Sequence, residues 1–158
     1  MATIERQAKT VQRLRNISRL LDNAIPIPGT PYRIGLDPLL GLLPAGGDLA
    51  GALLSAYIVF SAAQLGLPRE SLVRMVSNIL LETVVGTIPI VGDLFDVAWK
   101  ANIKNMELLE SHLDTPQPAK KADKTFIVLL LVGLLVFVVA AIAFSAWLIT
   151  VIFGALLR

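Results

Sequence analysis

Ile4, Ala8, Val11, Leu14, Ile17 and Leu21 recur every three or four positions with Arg and Lys on the remaining faces, so residues 3–23 read as a basic amphipathic helix. Its apolar stripe either lies in a membrane interface or packs on the rest of the chain. Pro26, Pro28, Gly29 and Pro31 end this helix and predict an irregular connection up to about Arg33. Residues 49–65 form an uncharged run, about 26 Å long as a helix, which either barely spans a bilayer or is a buried helix. Gly66, Leu67 and Pro68 stop it, and a further helix opens near Arg69 and runs to about Val85. Residues 94–113 carry Lys100, Lys104, Glu107 and Glu110, so this stretch is predicted as an amphipathic helix and not a lipid-exposed span. A polar linker with two prolines, 114–124, precedes the last segment. Residues 125–157 hold no charge at all, and at roughly 48 Å for 126–157 the segment is longer than the ~30 Å hydrocarbon core, which predicts one tilted transmembrane helix with an overhanging end.

An internal repeat organises the middle. With an offset of 45 residues, LDPLLGLLPAGGDLAGALLSAY from Leu36 aligns with LETVVGTIPIVGDLFDVAWKAN from Leu81. Leu36/Leu81, Gly41/Gly86, Pro44/Pro89, Gly47/Gly92, Asp48/Asp93 and Leu49/Leu94 are identical, and Asp37 aligns with Glu82. Each copy reads as helix, break, helix. Pro44 and Pro89 cannot continue the preceding helix, Gly47 and Gly92 permit a tight reversal, and Asp48 and Asp93 stand where a helix N-cap belongs.

Composition narrows the function classes. The chain is 55% hydrophobic and 16% charged over 158 residues, far from an ordinary cytosolic enzyme. It has no cysteine, which excludes disulfides, thiolate catalysis and Cys-based metal sites. The net charge of +2 arises mostly in the first 33 residues, where Arg6, Lys9, Arg13, Arg15, Arg19 and Arg33 face two acids. A basic stretch beside apolar segments points to anionic lipid head groups and not to nucleic acid. Basic residues near span ends place the N-terminus on the cytoplasmic side.

The acids that survive in the depleted middle are the candidate site. Asp37, Asp48, Glu82, Asp93 and Asp96 lie in or beside apolar helices broken at Gly41, Pro44, Gly47, Gly86, Pro89 and Gly92, and paired broken helices point to a midplane ion or solute site. The same residues also fit a structural reading: Asp48 and Asp93 as helix caps, with Asp96 at capping-box spacing, and Asp37 and Glu82 as partners of Arg33, Arg74 or a lysine. Asp48, Asp93 and Asp96 offer oxygen ligands for magnesium or calcium, but there is no calcium-loop pattern and the metal stays unassigned. His112, the only histidine, suits a helix C-terminus better than a catalytic base. Asn102 and Asn105 are expected to bond across to the neighbouring repeat, and Trp99 to sit at an interface or in the core. No nucleophile-elbow, Walker or dinucleotide-binding motif is present, so no enzyme activity and no cofactor are expected.

These stretches carry a resemblance. LDNAIPIPGTPYRIGLDPLLGLLPAGGDLAGALLSAY, followed by NILLETVVGTIPIVGDLFDVAWKANIKNMELLE, resembles the uncharacterised membrane-associated family called domain of unknown function 4112, over about residues 21–110. The resemblance implies a helical, membrane-linked domain and supplies no activity or site residues. The expectation is therefore an all-α integral membrane protein: a basic helix (1–23), a tandem helix-break-helix core (24–113), a linker (114–124) and a transmembrane segment (125–158). Its expected role is non-enzymatic. Either the core binds or passes an ion or small solute at the repeated breaks, or it is a peripheral structural or adaptor module anchored by the last helix. Ala146, Thr150 and Gly154 offer a small-residue face for a homo-oligomer through that helix.

Overall fold

The computed structural model describes residues 2–36, 46–88, 95, 98–115 and 122–156. Among them are five α-helices and one small antiparallel hairpin. Helix α1 (Ala2–Asn23) buries Leu14, Ser18, Leu21 and Asp22, a stripe at helical spacing, with Val11 and Ile17 packed at its margin. Ile4, in contrast, is 72% exposed, so the packing alternative describes the second half of this helix and not its start.

The proline-rich connection is more regular than its composition predicts. Strands β1 (Ile25–Pro26) and β2 (Arg33–Ile34) pair antiparallel, Ile25 opposite Ile34. The turn between them has Pro28 followed by Gly29 at φ +77, and Thr30 N–H donates to the Ile27 carbonyl at 3.2 Å. Pro fixes the first central φ and Gly supplies the left-handed second one, which turns a helix-breaking sequence into a hairpin.

Helix α2 (Gly46–Gln64) is followed by a short turn and helix α3 (Arg69–Gly86). Gly66, at φ +98, ends α2: its N–H donates to the Ala63 carbonyl, the next N–H, of Leu67, reaches the Ala62 carbonyl, and Leu67 itself is buried. This left-handed glycine cap satisfies two orphaned carbonyls, and Pro68 then starts α3. Helix α4 (Ala101–Asp114) takes up the second part of the helix predicted over 94–113. Phe95 and Ala98 are helical, but Trp99 and Lys100 leave the helical path, because both side chains are engaged by other elements.

Helix α5 (Lys124–Leu156) is one unbroken helix of 33 residues, about 50 Å long, and it is long and apolar enough to cross a membrane. Asp123 caps it, accepting from Phe126 N–H at 2.8 Å, and also pairs with Arg69, whose guanidinium lies 5.0 Å from the Phe126 ring centre. The start of α5 is thereby pinned to the turn between α2 and α3. Helices α2 and α3 pack on each other, α4 and α5 each pack along both, and α1 packs on α4 and on α2. Leu134 and Val138 of α5 enter the core with Ile58 of α2 and Met75 of α3, and Phe126, Leu130 and Ile142 pack at its edge. Beyond Ile142 the helix is largely bare.

Candidate functional site at the junction of two helix ends

The C-terminus of α1 meets the N-terminus of α4. Each end leaves unpaired backbone groups, carbonyls on α1 and N–H groups on α4, and their partial charges are opposite. On the α1 side, the Asn23 carbonyl accepts from Arg33 Nε at 3.0 Å, the Asp22 carbonyl accepts from Lys100 Nζ, and the Leu20 carbonyl accepts from Leu36 N–H at 3.1 Å. Lys100 Nζ also donates to the Arg33 carbonyl at 2.7 Å, which ties the hairpin to α4. On the α4 side, Glu82 of α3 accepts from Ala101 N–H at 3.3 Å, and Asp22 of α1 accepts from Ile103 N–H at 2.8 Å. Two carboxylates from other helices thus cap α4 where a local side chain does not.

Asp22 is the electrostatic centre of this junction. It is 5% exposed, and its second oxygen accepts from Asn102 Nδ2 at 2.9 Å. Burial raises its carboxyl above the ordinary carboxylate range, against the lowering effects of the Asn102 and Ile103 donors and the Lys100 charge. Asn102 is fully buried, and its Oδ1 has no hydrogen-bond partner. Beside it, fully buried Asn105 donates to the Met75 carbonyl at 3.1 Å and accepts from Asn78 Nδ2 at 2.9 Å, while Trp99 Nε1 donates to the Asn78 carbonyl. The α4 asparagines do bond across to other helices, but not to the neighbouring copy of the repeat: Asn102 reaches Asp22 on α1, outside both copies, and Asn105 reaches α3 within its own copy. Trp99 is half-buried, with the Lys104 ammonium 4.3 Å from its ring centre.

The arrangement can hold a proton and fix helix ends; Asp22, Glu82, Lys100 and the three asparagines include no hydroxyl, thiol or imidazole to act as a nucleophile–base pair. Next to it, Arg74, Ser77, Lys104 and Glu107 line a groove of about 460 Å³ between α3 and α4 that is wide open to solvent. Among the described residues no group of three or more His, Asp or Glu side chains could hold a metal ion.

Three of the five acids singled out by sequence, Asp37, Asp93 and Asp96, are outside the described residues, as are Gly41, Pro44, Pro89 and Gly92. Gly47 and Asp48 fall inside the first turn of α2, which opens at Gly46, two residues ahead of the expected cap. Glu82 caps α4, and Gly86 is the last residue of α3. His112 sits in the last turn of α4, as its proposed complement to the helix dipole requires. Sequence reasoning passed over Asp22, although one signal was there: an acid at the C-terminal end of a helix opposes the dipole, and this one continues the stripe of Leu14 and Ser18. Lys100 and Asn78 carried no such signal.

Residues 10–113, from the middle of α1 to the end of α4, match the model of the family described as "Domain of unknown function (DUF4112)". The chain belongs to this family. The matched stretch contains every residue of the α1–α4 junction and stops before α5, so the junction is part of the DUF4112 domain proper. No curated protein and no solved structure matches the chain.

One consequence of the trans-capping is open to measurement. Glu82→Ala in the DUF4112 domain removes the acceptor for Ala101 N–H, and the expected loss is about 1 kcal/mol of stability, in the range of other lost caps. Glu82→Gln, which keeps an acceptor oxygen, is expected to recover part of it; chemical denaturation in detergent micelles compares the two.

Proposed function

We propose that this protein is a membrane-anchored structural module, with α5 crossing the bilayer and the DUF4112 domain held rigidly at its base. The observation that carries this reading is the burial of Leu134 and Val138 of α5 in the domain core while the same helix continues bare and apolar past Ile142. A flexible tether would leave anchor and domain independent; this one shares a core with the domain. The α1–α4 junction supports the same reading, since its buried polar groups are spent on capping and stitching helices. The basic residues of α1, Arg33 and the lysines before α5 would lie together on the domain side, which the bias of basic flanks assigns to the cytoplasm. In sequence, the matched motifs ending in Asp48 and Asp93 support a core built from two related helix-break-helix copies.

Two measurements on the purified full chain test this. The protein is expected to resist extraction from membranes by alkaline carbonate. In reconstituted vesicles it is expected to pass cations, protons and anions no faster than empty vesicles do. A selective flux above that background, abolished by Asp48→Asn with Asp93→Asn, would replace the structural reading with an ion pathway at the breaks. Release by carbonate would remove the anchor.

A further inference from the structure

The bare part of α5 is too short to cross a bilayer alone. A span needs about 20 residues, whereas only 15 uncharged residues, 143–157, stand between Ile142, the last residue of α5 packed at the core, and the charge of Arg158. A crossing helix bounded by Arg158 enters the hydrocarbon no later than Val138. Residues 138–142, about 8 Å of helix, are therefore in lipid and against the domain at once. Any placement of the span nearer the start of α5 enlarges this overlap.

The direction of α5 decides which part of the domain is involved. Its start is pinned to the α2–α3 turn through Arg69, Asp123 and Phe126, and its packed face from Phe126 to Ile142 covers about 24 Å along α2 and α3. α2 and α3 are themselves about 29 and 27 Å long, so Val138 and Ile142 lie toward the far ends: the start of α2 and the end of α3. Among the described side chains, the large exposed ones there are apolar: Leu49 and Leu53 on α2, and Leu81, Val84 and Ile88 at the end of α3. The polar groups of the same stretch are turned inward or satisfied locally. Glu82 caps α4, Thr83 Oγ1 donates to the Ile79 carbonyl at 2.8 Å, and Thr87 Oγ1 donates to the Val84 carbonyl at 2.6 Å. The opposite end carries Arg69, Glu70, Asp123 and Lys124.

We infer that Leu49, Leu53, Leu81, Val84 and Ile88 form an apolar collar around the exit of α5 that is seated in the bilayer, so that the domain is partly embedded and not merely tethered above the surface. The inference rests on α5 as the span and adds the depth and tilt of the domain. Its occupant is lipid because the collar is continuous with a helix that must be in hydrocarbon at the same level.

The chain has no cysteine, so single-cysteine variants of the full chain can each carry an environment-sensitive fluorophore. Leu53→Cys and Val84→Cys report the collar, Glu70→Cys the opposite end and Phe153→Cys the span; all four positions are exposed, so labelling leaves the core intact. In phosphatidylcholine vesicles containing lipids spin-labelled on the acyl chain, the labels at residues 53 and 84 are expected to be quenched several-fold more than the label at residue 70, together with that at 153. Quenching at 153 with none above the residue-70 level at 53 and 84 would overturn the collar and leave the anchor standing. Loss of quenching at 153 as well would overturn both. Collar labels that are shielded from water yet unquenched, in a protein that runs as a dimer, would mean that a second copy covers the surface, and would likewise overturn the inference.

Discussion

Gly35→Ala is expected to cost about 3–5 kcal/mol, among the largest effects available to a single methyl group here. A Cβ on Gly35 would overlap the Leu21 carbonyl and lie 2.6 Å from the Asp22 Cα, so backbone and not a pliable side chain stands in the way. The strand after the hairpin could then no longer rest on the end of α1, and the bond from Leu36 N–H to the Leu20 carbonyl would be lost with it. Displacing that strand also moves Arg33, whose guanidinium and carbonyl help join α1 to α4. For a chain of this size the change corresponds to a fall in Tm of roughly 10 °C, measured by circular dichroism in detergent. Gly86→Ala is the control: nothing lies within 4 Å of its added Cβ, and an unchanged or slightly raised Tm is expected. Equal effects at both positions would contradict the close approach at Gly35.

Asp22 separates two kinds of substitution. Asp22→Ala leaves Ile103 N–H and the Asn102 amide without acceptors inside the core, and about 3 kcal/mol of stability should go with it. Asp22→Asn is expected to stay within about 1 kcal/mol of the parent, because an asparagine oxygen can still accept from Ile103 while its amide donates to Asn102 Oδ1 once the Asn102 amide turns over. Among the described residues, that oxygen is the one buried side-chain acceptor left open at the junction. A protonated Asp22 can donate to it in the same way.

The pH dependence follows from the raised carboxyl of Asp22. The folded state holds this proton more tightly than the unfolded chain, so the stabilisation is complete below the unfolded value of about 3.9 and is lost as pH rises through the folded value. The difference in stability between the parent and Asp22→Asn is therefore expected to shift in favour of the variant from acidic to neutral pH, as read from denaturation midpoints at each pH. A difference that moves the other way would mean that Lys100 and the two donors outweigh burial.

The sequence determined the elements. The stripe of α1, the Gly66–Pro68 stop between α2 and α3, and the uncharged run of α5 each follow from periods and breakers that act over a few residues, and the structure reproduces them to within a residue or three at their ends. It also marked Glu82 as a residue of interest and the α4 asparagines as structural, though it assigned them to the wrong partner, the neighbouring repeat. The break at Trp99 and Lys100 was beyond it, since both side chains leave the helix for acceptors on α3, α1 and the hairpin, far away along the chain. The hairpin was masked by its prolines, which break a helix and build a turn with equal ease.

Charge depletion located the long apolar helix but said nothing of what that helix touches. Only the tertiary structure decided that Asp22 is buried and that Gly35 must be glycine. It alone put the first half of α5 in the domain core. The physical reason is common to all three: burial, close backbone approach and trans-capping are relations between segments distant in sequence, set by which helix ends and faces meet, whereas periodicity reports only what one segment would hide.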